Sequence, residues 1–440
     1  MYLQEISLII LQVLFIYLFF NNSILNGKFV NKIIKVKYFT NIDLIIINII
    51  IFLNMLIIIS VFSINSTYFF YFYILLICLA LTKNFVEKIK INFSYKNMII
   101  LLLVFILSLD LAYELILGWD VQLLWYLKAL NFYQDQNFLN LNKLPFSGYP
   151  HLGPYIWGFF WKFPFNNYEY LGRIAYIFFY ILSIFSFSET LKINNQLRSI
   201  FSLIIILATY KYNLFNGDAD VLIFIFLLFA AKFVNDLFQL ENKKNQLPII
   251  FLLLGIGNIL LWTKQEGIFF FIFLIFSMII FNKLINKKNK LILIISSLLL
   301  IFFKMLVLQI LDVPQMDTTG QFHPDVLNFD FKEFYYRISN ILFYLFVYLI
   351  QSPIYLIALP LMVISIKFLK NDPFNKTIIL FTLLISGFLF SAYFFTVREI
   401  IFNIRNSMTE VLNAFSGIYL LVISNTLNKY LSNNKNRYLK

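Results

Sequence analysis

Apolar residues run in long blocks from one end of the chain to the other, broken by short polar stretches. About 20 apolar residues are needed for a helix to cross 30 Å of hydrocarbon. On that scale the pattern predicts spans over 6–21, 42–63, 67–82, 98–117, 170–187, 199–213, 220–235, 247–263, 267–281, 291–311, 340–366, 377–395 and 412–427. The weakest breaks are the hairpins at 64–66 and 264–266. The expected fold is all-α, a polytopic transmembrane bundle of about 13 spans. The first apolar run follows Glu5, has no basic flank and no small-residue cleavage site, and is read as a retained span.

One stretch departs from this pattern. After the fourth span comes LGWDVQLLWYLKALNFYQDQ, residues 117–136. From Val121 a helical period places Val121, Trp125, Ala129, Phe132 and Tyr133 on one face. Lys128, Asn131, Gln134 and Asp135 fall on another. That is an amphipathic helix expected to lie in the membrane interface, with Asp120 at its start. An acid there is a good helix cap, and capping competes with a chemical role for Asp120.

Composition agrees with the pattern: of 440 residues, 61% are hydrophobic and 13% charged, against about 25% charged in soluble domains. The net charge of +13 is spread over short loops, which argues against nucleic acid as a partner and for the positive-inside rule. The single cysteine, Cys78, excludes an intramolecular disulfide.

Most Lys and Arg fall on alternate loops: 28–37, 83–96, 192–198, 232–244, 283–290, 367–376 and the tail. These face the cytoplasm on the rule, leaving 118–169, 211–219, 264–266, 312–339 and 396–411 on the outer side. The expected layout is 1–97 as N-terminal transmembrane helices, 98–427 as the functional transmembrane module and 428–440 as a cytoplasmic tail, with no soluble domain.

The outer segments hold the candidate chemistry. LPFSGYPHLGPYIWGFFWK, residues 144–162, carries Tyr149, His151 and an aromatic run expected to act as an interfacial belt; His151 is expected in an exposed loop. NLFNGDADVLIF places Asp218 and Asp220 just before a span, where acids are costly without a partner. LWTKQEG sets Lys264 and Glu266 between two apolar runs. The last segment adds Arg398, Glu399, Arg405 and Glu410, and arginine forks suit phosphate oxygens. The 312–339 loop has Asp312, Asp317, His323, Asp325 and Asp330, a weak metal pattern, so neither a metal nor any other cofactor is assigned. Taken singly, each motif is outweighed by capping or snorkelling. Together they put acids and bases from five loops on one side.

GWDVQLLWYLKALNFY, YPHLGPYIWGFFWK, GDADVLIFIF and TKQEG occur in this order over residues 98–281. In this the chain resembles the GT-C superfamily of membrane glycosyltransferases that use polyprenyl-phosphate sugars, relatives of protein O-mannosyltransferases and lipid A transferases. It departs from them in having three spans before the one leading to Asp120, and in Phe402-Asn403 and Glu410 in the late segment. The resemblance implies transfer of a sugar from a polyprenyl-phosphate donor to a hydroxyl of a lipid, glycan or protein acceptor at the outer face of a membrane, that of a bacterial inner membrane foremost. Asp120 would be the base. Asp218, Asp220, Lys264, Glu266, Arg398, Arg405, Tyr149 and His151 would bind donor or acceptor. A flippase or transporter of lipid-linked sugars, and a glycan ligase or polymerase, are the competing readings.

Overall fold

The computed structural model describes residues 3–21, 39–86, 94–118, 120–135, 142–144, 147–164, 167–211, 214–239, 246–281, 285–313, 330–368, 373–396 and 399–438. Among these every regular element is helical. In order they are α1 (Leu3–Asn21), α2 (Asn41–Val61), α3 (Ser66–Val86), α4 (Tyr95–Glu114), a π-helical turn (Val121–Trp125) running into α5 (Tyr126–Tyr133), α6 (Leu152–Lys162), α7 (Tyr170–Ser188) and α8 (Asn195–Thr209). There follow α9 (Asp220–Gln239), α10 (Gln246–Thr263), α11 (Gly267–Phe281), α12 (Lys287–Ile310), α13 (Phe331–Gln351), α14 (Pro353–Phe368), α15 (Pro373–Phe394) and α16 (Ile400–Tyr438).

Among the described residues, nine helices are long and apolar enough to cross a membrane, or ten if α13 and α14 are taken as one broken span. Helices α3, α8 and α11 are shorter apolar segments. Each predicted span coincides with helix, with one correction. The stretch 340–366 is not a single rod: α13 and α14 meet at Ser352–Pro353 with a bend of 104°. The residue before a proline is pushed out of the α region, and Ser352 is extended, at φ −97° and ψ 117°.

Helices α7 and α9 form the centre. All of α7 is buried, as is nearly all of α9. Helix α9 packs on α7, α10 and most extensively α16, while α6 packs between α5 and α7. Helices α12, α13 and α14 leave broad apolar faces outward, as lipid-facing surfaces do.

The aromatic run 155–161 does not form a belt at a membrane interface. Tyr155, Trp157, Phe159 and Phe160 are at most 1% exposed and Trp161 6%. Phe159 and Phe160 pack against Phe19 and Phe52, and Tyr133 stacks on Trp161 at 4.3 Å. Glycines permit this depth. A Cβ on Gly172 would lie 2.3 Å from the Trp157 carbonyl oxygen, and one on Gly158 2.6 Å from that of Ala129.

At the ends of α7 and α9 away from Arg173 and Asp220, ion pairs tie the bundle. Lys232 Nζ lies 2.6 Å from Asp43 and 2.7 Å from Asp236, and Lys96 lies 3.1 Å from Glu189. Lys232, counted among loop charges from sequence, is instead buried within α9. An ammonium at that depth is tolerated because two carboxylates meet it.

Candidate functional site

The turn before α9 is built by short-range bonding. Asn216 Oδ1 accepts from the Asp218 amide at 3.0 Å, and Asp218 Oδ1 from the Ala219 amide at 2.6 Å. Between them Gly217 has φ +102°, and a Cβ there would lie 2.7 Å from Val121 and 2.9 Å from Trp157. Only glycine serves on both counts. The turn leaves Asp220 as the first residue of α9, where the positive end of the helix favours a carboxylate.

Helix α16 lies along α9 and brings Glu410 to the same point. Carboxylate oxygens of Asp218, Asp220 and Glu410 all lie within 4.8 Å of one another. Lys264, in the tight turn between α10 and α11, places Nζ 2.5 Å from Asp220 Oδ1. That turn closes because Gly267 approaches Leu260, where a Cβ would be 2.0 Å from the carbonyl oxygen. The other Asp220 oxygen, Oδ2, is buried without a hydrogen-bond partner.

Asp218, Asp220 and Glu410 line a cavity of about 240 Å³. Its lining also includes Thr209, Lys211 and Asn216, then Asn413 and Ser416 of α16, and the helix break at Ser352–Ile354. A smaller recess of about 20 Å³ shares Leu214 and Asn216 with it and is lined by Asp110, Glu114 and Tyr210. There the Tyr210 hydroxyl donates to Asp110.

Electrostatics follow from the crowding. Burial, and then the charge of Asp220, push the Asp218 carboxyl up to about 7. Burial pulls Lys264 down, but Asp220, Glu266 and Asp218 outweigh it and hold the ammonium well above its usual range. Burial lowers Lys211. Three carboxylates this close must share protons or a cation. An all-oxygen donor set with one orphaned carboxylate oxygen fits a hard divalent ion.

Asp120 is not part of the cavity lining, but its loop meets the cavity wall at Asn216. It is exposed, its side chain makes no capping bond, and its charge acts on Glu410. The capping role expected for it is therefore not what the structure shows. The first turn after it is π-wound, so the amides a capped α-helix would offer are offset, and such turns frequently mark functional sites. The loops meet closely: a Cβ on Gly118 would be 2.7 Å from Asn216 Nδ2.

The interface helix is also corrected. Instead of lying in a membrane interface it packs inside the protein: Val121, Trp125, Ala129 and Phe132 are buried, and so are Lys128 and Asn131 from the polar face. Lys128 Nζ donates to the Tyr149 carbonyl at 2.9 Å and lies over the Trp125 ring at 5.3 Å, while burial lowers its pKa to about 7. His151, expected in an exposed loop, is 1% exposed. Burial first, then Lys128 and Lys304, hold it well below its ordinary value, so it is neutral. Tyr149 packs its ring edge on Trp125. Tyr149, His151 and Lys128 thus form a second buried cluster, joined to the α10–α11 turn by Gln265, which donates to the Gly148 carbonyl at 3.4 Å.

Of the remaining expected residues, Glu266 is half-buried beside Lys264. Arg405 is exposed and donates twice to the Tyr344 hydroxyl, at 2.8 and 3.1 Å. Arg398, and Asp317, His323 and Asp325 of the weak metal pattern, lie outside the described residues. Asp330 caps α13, accepting from the Glu333 amide at 2.7 Å. Glu410 stands in the sequence as one of the charges of the last outer segment and as a departure from the family pattern, without a site role. Its signal was there: an acid inside an apolar helix, with Asn413 and Ser416 following on the same side. Lys211, Asn216 and the Ser352 break gave no comparable sign.

Comparison of the chain with protein-family models, with curated proteins and with solved structures finds no match.

Proposed function

We propose that the protein is a membrane glycosyltransferase of the GT-C kind, with about 13 spans. It would move a sugar from a polyprenyl-phosphate donor to a hydroxyl acceptor at the outer membrane face, in a bacterial inner membrane. The observation that carries this reading is the gathering of Asp218, Asp220 and Glu410 from separate segments on a 240 Å³ cavity, with the charge of Asp120 reaching Glu410. An exposed carboxylate without a capping duty is suited to general base work.

In the reaction, Asp120 takes the proton of the acceptor hydroxyl as that oxygen bonds to the sugar's anomeric carbon. The bond from that carbon to the phosphate oxygen breaks, and its electron pair leaves with the polyprenyl phosphate. Because phosphate is already a good leaving group, no second carboxylic acid is needed, unlike glycoside hydrolysis. Lys264 is committed to Asp220, so its task is charge balance in the carboxylate group rather than direct phosphate binding. Lys211 in the cavity wall would meet the phosphate, and Arg405, which lies outside the cavity lining and donates to Tyr344, would meet it only from the side. Asp218, Asp220 and Glu410 would hold a divalent cation, which would supply positive charge to offset the negative charge developing on the leaving phosphate. Asn216 and Asn413 offer amides to sugar hydroxyls.

The test uses purified protein in nanodiscs with a panel of undecaprenyl-phosphate-linked hexoses and pentoses, detecting released undecaprenyl phosphate by mass spectrometry. Release is expected with at least one donor and lost in Asp120→Asn. Release at the wild-type rate in that variant removes the base assignment.

A transporter of lipid-linked sugars is the second reading, favoured by the broken helix at Ser352–Pro353 on the cavity wall, since discontinuous helices mark many transport sites. It predicts movement of the intact donor across a liposome membrane with no phosphate released.

A further inference from the structure

Arg173 lies in the first turn of α7 and is wholly buried. Its Nη1 donates to the carbonyl of Ile116 at 3.3 Å and to that of Phe215 at 3.1 Å. Its Nη2 donates to Glu169 Oε1 at 2.8 Å, and the guanidinium lies over the Trp157 ring at 5.6 Å. Glu169 is fixed in turn, because its backbone carbonyl accepts from Trp157 Nε1 at 2.9 Å.

The two carbonyls belong to the two loops that carry the site. Ile116 precedes Asp120 by four residues, and Phe215 precedes Asp218 by three. Neither loop has regular secondary structure there, so ordinary ladders do not set their spacing. One charged group held inside the fold spans both. A buried cation is expensive to desolvate, and here the return for that cost is a fixed relation between loops from distant parts of the chain. The fork geometry is essential. Only a planar guanidinium can stand over an indole while directing donors to two carbonyls and a carboxylate.

We infer that Arg173 is a positioning residue, clamping the Asp120 loop to the Asp218–Asp220 turn and so fixing the base against the cavity. This rests on the reading of Asp120 as base. A shift of about 1 Å between reacting groups costs roughly 100-fold in rate, so loosening the clamp slows the chemical step.

The test compares wild type with Arg173→Lys, and with Glu169→Gln, which keeps the arginine but weakens its anchor. Amide hydrogen exchange is followed in segments 114–118 and 214–219, and undecaprenyl phosphate release is followed in the nanodisc assay. Arg173→Lys is expected to speed exchange in both segments together while α9 and α16 keep their protection. Release should fall roughly 100-fold at saturating donor. Glu169→Gln should give the same pattern, more weakly. Wild-type exchange in both segments of either folded variant overturns the clamp. Loosened segments with an undiminished release rate overturn its role in positioning. If Asp120→Asn alone releases normally, the base reading fails, whereas coupled loosening in Arg173→Lys still upholds the clamp.

Discussion

Lys264 and Asp220 meet with Nζ 2.5 Å from Oδ1, both side chains largely buried, across 44 residues of sequence. The pair joins the α10–α11 turn to the start of α9, where Asp220 lines the cavity. Around it stand Asp218, Glu266 and Glu410, so this single ammonium balances a crowd of acids. Removing one member of such a pair leaves an uncompensated charge, which costs more than the pair itself contributes.

Lys264→Met should therefore lower stability by about 3 kcal/mol. Adding Asp220→Asn should recover most of that loss, because the stranded charge is then gone. Thermal unfolding in detergent, read by tryptophan fluorescence for the single and double variants, checks the coupling. Equal losses in the two variants would refute it.

The raised Asp218 carboxyl makes stability depend on pH. Its ordinary value is 3.8 and its value in the fold is about 7. Between these the folded protein holds a proton that the unfolded chain has released, so stability falls as pH rises from about 4 to about 7 and then levels. Asp218→Asn removes this dependence and should gain on the wild type as pH rises through that window. Unfolding midpoints for the two proteins across it decide the matter, and parallel curves would refute the shift.

The three carboxylates should take up one hard divalent cation. Titration with manganese, followed by the loss of the free-ion signal in electron paramagnetic resonance, should show one bound ion per chain. Glu410→Gln should abolish it while Glu333→Gln, on α13, does not. Binding that survives Glu410→Gln would show that the carboxylates share protons only.

Gly172→Ala tests the close packing of α6 on α7. The new methyl would sit 2.3 Å from the Trp157 carbonyl oxygen and 2.8 Å from the Trp161 amide nitrogen. Backbone atoms cannot turn aside as a side chain can, so the helices must separate, at a cost of about 3 kcal/mol. A thermal midpoint equal to that of the wild type would mean that α6 is free to slide.

The helical bundle was legible because each apolar run must pair its own backbone groups wherever water is excluded, and only a helix does so within one segment. Span by span, the blocks of Ile, Leu and Phe marked where helices lie. Lys232 misled, because a lysine next to an apolar stretch looks the same whether it reaches a loop or is met inside by Asp43 and Asp236. The aromatic run 155–161 misled likewise. Periodicity and ring content are equal for a belt in lipid and a wedge between helices, and Gly158 and Gly172, which decide the matter, act on partners far along the chain.

For the site, the acids at 120, 218 and 220 and the turn at 264–266 stood out because charge is rare in this chain. Their distances from one another did not. The sequence by itself determined that the protein is a bundle of apolar helices with its unusual charges gathered at segment ends, since hydrophobic period and charge cost are properties of local stretches. The tertiary structure alone decided that Glu410 joins Asp218 and Asp220 within 4.8 Å, that Asp120 leaves its helix uncapped, that His151 is sealed inside and that Arg173 holds two loops together. Those outcomes depend on which helix packs on which, and that is fixed by contacts between residues tens to hundreds of positions apart, whose pairing no local pattern encodes.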